Sequence, residues 1–280
     1  MKETGHPKNA EKWYRKSSKA GDTDAMVFLG ILLEESDRIE EAEKWYREAS
    51  ELGDTHAMYS LGHLLEGTSH PEEAEKWYRE ASELGSTDAM VGLAILLRST
   101  DRLDEAEKWY REASELGDTD AMVGLGLLLD EKDLPEEAKH WIRKAAKKSD
   151  SEAMLILAIL LRNTGHLEEA EHWLREAVEQ ENVQAKVLLG ALLVEKDLLE
   201  EAEHWLRKAV EQGNTNASVA LGLLLQDTER TEEAEHWLRK AADAGNTIAM
   251  NNLGALLRET GRAEEAGHWF RLALKAQDSD

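Results

Sequence analysis

Tryptophan stands at positions 13, 45, 77, 109, 141, 173, 205, 237 and 269, a constant interval of 32 residues without insertion. A fixed period of this length restricts the chain to an array of similar units, each packed on its neighbours in sequence. In one unit, Ala25, Met26, Leu29 and Leu33 recur at helical spacing and define a first helix, A. A polar turn, Glu35 to Arg38, leads to a second helix, B, on which Ala42, Trp45, Tyr46 and Ala49 form one apolar stripe. The expected fold is all-α, a right-handed α-solenoid of stacked antiparallel helix hairpins. Residues 1–22 read as a lone N-terminal helix B, half a repeat, and residues 23–280 as eight complete 32-residue helix-turn-helix repeats forming one solenoid.

The punctuation agrees with those boundaries. Gly21, Gly53, Gly85, Gly117, Gly213 and Gly245 fall where a helix C-terminus requires a left-handed residue. Pro7, Pro71 and Pro135 all occupy the start of helix B, where a missing amide hydrogen costs nothing. Glu40 with Lys44 and Glu43 with Arg47 are acid-before-base pairs four apart on a solvated face. Residues 2–6 align with Arg162 to His166, so the array starts in mid-unit, as a piece of a longer array or an uncapped natural end would. Units two apart resemble each other, as Ala94 to Arg98 and Ala158 to Arg162 do.

Fifty-eight acidic against thirty-four basic residues give a net charge of -24. Such a field repels nucleic acid. Without cysteine there is no disulfide, thiolate nucleophile or Cys-based zinc site. No apolar run approaches a membrane span, and residues 1–10 lack the apolar core of a signal peptide, so no membrane partner and a cytoplasmic location are expected.

Within each unit the pattern Leu29-Gly30, Leu33, Ala42, Tyr46, Ala49 resembles the tetratricopeptide repeat, although the interval of 32 is shorter than that family's usual period. Ala49 to Gly53, followed by Ala57 and Leu61-Gly62, is similar to the Sel-one-like repeat. The resemblance implies a tetratricopeptide-like superhelix with a scaffolding or adaptor role and diverse ligands. Some tetratricopeptide domains clamp a peptide's terminal carboxylates with lysine and asparagine on helix A. Here the matching positions hold mostly valine, and Asn251 and Asn252 are the one adjacent amide pair there, insufficient for that clamp.

The tryptophan ladder reads as packing between repeats. His140, His172, His204, His236 and His268 precede Trp where earlier units place Lys12, Lys44, Lys76 and Lys108, which marks an exposed position. Equivalent side chains of adjacent units are separated by about 8–10 Å, too far for two imidazoles to share a zinc ion. Acidic doublets such as Glu40-Glu41, Glu72-Glu73 and Glu168-Glu169 suit the first turn of helix B through its dipole. No nucleophile elbow, phosphate loop or HExxH pair occurs, so neither an enzyme nor a cofactor or metal is expected.

Helix B repeats its chemistry closely, whereas the residues of helix A expected on the concave face vary. They are Val27 and Ile31, Tyr59 and His63, Val91 and Ile95, Val123 and Leu127, Leu155 and Ile159, Val187 and Ala191, Val219 and Leu223, and Asn251 and Ala255, with Asn252 beside the last pair. Rim residues Asp24, Glu34, Glu66, Asp88, Asp120, Asp130 and Glu152 are acidic, interrupted by Arg98, Arg162 and Arg258. The expected partner is a protein or peptide with apolar anchors between basic residues, held in this groove; the competing possibility is that the small aliphatics close on each other and bind nothing. The alternative role is a structural solenoid forming an end-to-end homo-oligomer through Phe270, Leu272 and Leu274, because Leu272 stands where every earlier complete unit has Glu or Lys.

Overall fold

The structure is a computed structural model that describes residues 7–277; the alignment of residues 2–6 lies outside them. They form seventeen α-helices and no strand. A lone helix B, α1 (Pro7–Ser18), is followed by eight hairpins. The A helices are α2 (Thr23–Glu34), α4 (Thr55–Gly67), α6 (Thr87–Ser99), α8 (Thr119–Glu131), α10 (Ser151–Asn163), α12 (Val183–Glu195), α14 (Thr215–Asp227) and α16 (Thr247–Glu259). Each is followed by its B helix: α3 (Ile39–Glu51), α5 (Pro71–Glu83), α7 (Leu103–Glu115), α9 (Pro135–Ala146), α11 (Leu167–Glu179), α13 (Leu199–Glu211), α15 (Thr231–Asp243) and α17 (Ala263–Gln277). The chain divides into two compact units, Met1–Ala145 and Ala146–Asp280. Within each unit the hairpins stack as an α-solenoid.

Local chemistry starts each helix A and closes the turns between helices. Each helix A is capped by a short polar side chain, Asp22, Asp54, Ser86, Asp118, Asp150, Asn182, Asn214 or Asn246, which accepts a hydrogen bond from the amide three residues on. Pro71 occupies the first turn of α5, and α1 and α9 begin at Pro7 and Pro135. Helix B ends on a left-handed residue, glycine at Gly21, Gly53, Gly85, Gly117, Gly213 and Gly245 but Ser149 after α9 and Glu181 after α11; at Gly53 (φ 90°) the chain turns so that the Asp54 amide returns to the Ala49 carbonyl at 3.2 Å. The A-to-B turn has the same closure: Asp37 has φ 59° and the Arg38 amide reaches Leu33 O at 2.8 Å. There the left-handed residue is Asp37, Ser69, Asp101, Asp133, Asp197 or Glu229, and glycine at Gly165 and Gly261.

Helix A packs against its own helix B, the preceding helix B and the neighbouring A helices of its unit. This crowding makes helix A apolar on most of its faces, while helix B stays amphipathic. Leu29, Leu33, Ala42 and Tyr46 are buried in the first unit, and Leu189, Leu193, Ala202 and Leu206 repeat the set in the second. Burying one such leucine stabilises by about 2 kcal/mol. Helices A and B approach closely through small residues. At Gly30 an added Cβ would overlap the Tyr46 ring, and at Gly190 it would stand 2.7 Å from Leu206 Cγ.

The residue after tryptophan is buried from Tyr46 to Leu238 and half-buried at the two outermost positions, Tyr14 and Phe270. Trp45, Trp77, Trp109, Trp173 and Trp269 are buried, Trp141, Trp205 and Trp237 partly so, and Trp13 on the first helix is exposed. The exchange of lysine and histidine before tryptophan has a physical basis. Lys76 and Lys108 place their ammonium groups 5.3 Å from the indoles, and the exposed rings of His172, His204 and His236 lie 4.9 to 5.3 Å from theirs.

The outer face of helix B carries ion pairs that cross between hairpins. Glu43 pairs with Arg47 at 2.7 Å, as the four-residue spacing requires, and Arg47 reaches on to Glu73 of the next helix B at 2.5 Å. The same step joins Arg79 to Glu105, Arg175 to Glu201, Arg207 to Glu233 and Arg239 to Glu265. Turn cations reach backwards, Arg38 to Glu11, Arg102 to Glu75 and Arg230 to Glu203.

Candidate functional site

Within each unit, successive A helices touch and line one face, while helices B occupy the other. The paired positions on helix A are not equivalent. Val27, Val187 and Val219 are buried in packing against their neighbours. Tyr59, Val91, Val123 and Leu155 are half-buried. The residue one turn later carries the accessible apolar surface: Ile31 is 41% exposed and Ile95 51% in the first unit, Ile159 41% and Leu223 39% in the second. These four recur at every second hairpin. Between them His63 is exposed, and Leu127, Ala191 and Ala255 are half-buried. Asn251 is exposed and Asn252 half-buried.

The acidic rim is less interrupted than its composition suggests. Arg98 Nε donates to Glu131 at 3.1 Å and Arg162 Nε to Glu195 at 3.1 Å, so both cations are engaged by the following helix A; Arg258 is exposed. Glu34 and Glu66 accept hydrogen bonds from the buried Tyr46 and Tyr78 hydroxyls at 3.1 and 3.2 Å. Burial, then the charge of Glu34 or Glu66, pushes both phenols well above the ordinary tyrosine value. Burial followed by Asp88, Asp120 and Glu66 also raises Tyr59. Rim carboxylates thus lie beside two buried rings, Tyr46 and Tyr78, and one half-buried ring, Tyr59.

Several surface features have weak sequence signals. Phe28 is exposed but stacks on Tyr14 with ring centroids 5.7 Å apart. Leu52, Leu84 and Leu116 are exposed one residue before the glycine that ends helix B, a spacing visible in the sequence once that edge is recognised. On α17, Leu274 is 62% exposed where Ser50, Val178 and Val210 are buried in other hairpins. Leu272 is half-buried, and the half-buried Phe270 ring faces Gly254 as Tyr46 faces Gly30.

Among the described residues no cluster of three or more His, Asp or Glu is arranged to hold a metal ion. Among them no helix is long and apolar enough to cross a membrane.

The tetratricopeptide repeat model matches residues 59–121, 155–217 and 219–280, more than half of the chain. The chain belongs to the tetratricopeptide repeat family. The Sel1 repeat model matches residues 7–22, 23–54 and 119–150, so the two descriptions alternate along one tetratricopeptide-type array. Among solved structures, a protective antigen of uropathogenic Escherichia coli with an SLR fold is 26% identical, with a TM-score of 0.66 over 96% of this chain; the chain spans 65% of the antigen's length. A Sel1 repeat protein from Oxalobacter formigenes is 23% identical, with a TM-score of 0.65 over 99% of this chain and 93% of that one. Yeast Tom70 shares the fold at 18% identity, with a TM-score of 0.60 over 97% of this chain and 62% of its own. No curated protein matches the chain by sequence. Tetratricopeptide and Sel1 repeat scaffolds generally mediate protein–protein interactions and are generally non-catalytic.

Proposed function

We propose that the chain is an interaction scaffold or adaptor that holds a protein or peptide segment along the A-helix face of each unit. The carrying observation is the exposure of Ile31, Ile95, Ile159 and Leu223, large aliphatic side chains at every second hairpin on a face bordered by carboxylates. Isolated exposed leucines and isoleucines are common on protein surfaces, but one position recurring on the A-helix face within each unit makes a row of anchor points there. A ligand with apolar anchors separated by basic residues complements both the row and the rim. Random dodecapeptides selected on the intact protein test the reading. Ligands of this composition should lose at least tenfold in affinity to the Ile31→Glu/Ile95→Glu protein, whose circular dichroism should remain that of the parent. Unchanged affinity for every selected ligand would remove the face from consideration.

A second reading, self-association through α17, is favoured by the exposure of Leu274 beside Leu272. Phe270 contributes to this patch from its half-buried position against Gly254. Leu272→Glu with Leu274→Glu should shift sedimentation towards the monomer at unchanged helicity. A parent protein already monomeric at high concentration would contradict it.

A further inference from the structure

A cavity of about 510 Å³ opens on the A-helix face of the first unit, between α4, α5 and α6. Its walls are Tyr59, His63, Glu66, Tyr78, Gly92 and Ile95. The opening has a local cause in the sequence. At the position equivalent to Gly92, the first hairpin carries Phe28, whose ring stacks on Tyr14 and occupies the space. Gly92 leaves it vacant, and a Cβ there would stand 3.0 Å from Tyr78 Cε1 and 3.4 Å from Tyr59 Cε2. Two tyrosine rings, 6.0 Å apart and tilted by 39°, therefore border the gap. The next hairpin has Gly124, but Val91 replaces Tyr59, and a Cβ on Gly124 would stand 2.5 Å from Tyr110 Cε1.

The walls are aromatic and acidic, with no lysine or arginine among them. Glu66 lines the cavity, and its Oε2 accepts from the Tyr78 hydroxyl at 3.2 Å. Burial first, and then the charges of Asp88, Asp120 and Glu66, raise the Tyr59 phenol above its ordinary value. Aromatic faces, a carboxylate and the exposed aliphatic Ile95 together match a cation on an apolar stem.

We propose that this cavity receives a basic side chain, arginine or lysine, from a protein segment lying along the A-helix face of the first unit. The assignment rests on the scaffold reading above and specifies the chemistry of one anchor. Ile95 at the cavity edge contacts the apolar residue beside that anchor, and Glu66 takes the charge beside the half-buried Tyr59 ring.

The test uses the whole chain with ¹³C-labelled tyrosine rings and three probes, the N-acetyl methylamides of arginine, lysine and norleucine. The arginine and lysine probes should shift the Tyr59 and Tyr78 resonances saturably, at least about fivefold more tightly than norleucine. Glu66→Gln, and Tyr59→Val, which installs the residue of neighbouring hairpins, should each weaken the arginine probe at least about fivefold at unchanged helicity. Equal binding of norleucine, or no saturable shift up to the solubility of the probes, would overturn the proposal. Peptides selected on the intact protein separate the two levels. Ligands that depend on Ile31 and Ile95 but require no basic residue overturn the cavity assignment and leave the scaffold reading standing. Tyrosine shifts without any peptide that depends on those isoleucines would sink the scaffold reading, and the assignment to a protein segment with it.

Discussion

The Tyr78 ring lies on Gly62 so closely that a Cβ on the glycine would stand 2.6 Å from Cε1 and 2.7 Å from Cδ1. Helix α4 can approach α5 at this distance because Gly62 presents bare backbone. A methyl on Gly62 would force the buried ring to shift from its packed position. Gly62→Ala should therefore destabilise by about 1–3 kcal/mol. Gly67, at the end of the same helix, meets nothing within 4 Å. Gly67→Ala should stabilise by up to about 1 kcal/mol, since it lowers the backbone entropy lost on folding. Urea denaturation of the two variants should move the midpoint in opposite directions; movement in the same direction would contradict this account.

The outer ion-pair network predicts an acid-dependent loss of stability. Arg102 donates to Glu75 at 2.8 Å and to Glu105 at 2.9 Å, and Arg79 donates to Glu105 at 2.9 Å. Hydrogen bonds from Arg102 and then Arg79 lower Glu105 from 4.5 to about 2. Because the folded value is depressed, the stabilisation is present above pH 4.5 and disappears as pH falls through about 2. The difference in thermal midpoint between the parent and Arg102→Gln should be fullest near neutrality and shrink across that window. High salt should reduce it throughout, because these charges are largely exposed. A difference independent of pH would show that Arg102 acts through packing instead.

Lys186 stands in the helix-A position that Met26, Met58, Met90, Met122, Met154 and Met250 fill with a thioether. Its side chain is 5% exposed, and Nζ donates to Glu181 at 2.9 Å and to Gln212 at 2.8 Å. The ammonium group is desolvated for two partners, one of them neutral. Lys186→Met should be neutral or stabilise by about 1–3 kcal/mol, whereas Gln212→Ala should destabilise by about 1–3 kcal/mol. Chemical denaturation of the two variants checks the signs. A Lys186→Met protein markedly less stable than the parent would contradict the desolvation argument.

Glu229 adopts φ 61° in the turn where Gly165 and Gly261 adopt 78° and 82°. A residue with a Cβ is strained in this region and glycine is not. Glu229→Gly should raise stability by about 0.5–1 kcal/mol, the relief of strain exceeding the added freedom of the unfolded chain. An unchanged or lowered thermal midpoint would refute this.

The hairpin, its two helices and the glycines that end six of the helices B could be read from the sequence, because each follows from forces acting within about four residues and the 32-residue period repeats them. The period also gave the core positions, since stacking identical units leaves one way to bury the Leu29, Leu33, Ala42 and Tyr46 set. What tertiary structure decided joins residues of neighbouring hairpins. Val27 looks like its groove partner Ile31 by composition, and only packing in the fold buries the first and exposes the second. Arg98 reads as a free rim cation until α8 brings Glu131 to it. Glu43 and Arg47 predict each other, but the continuation from Arg47 to Glu73 depends on how closely two B helices approach. The Tyr59 cavity needs a tyrosine from α4, a tyrosine from α5 and a glycine from α6 at one place. Spacing along a helix specifies which residues share a face; the distance between helices specifies which faces leave room for a ligand.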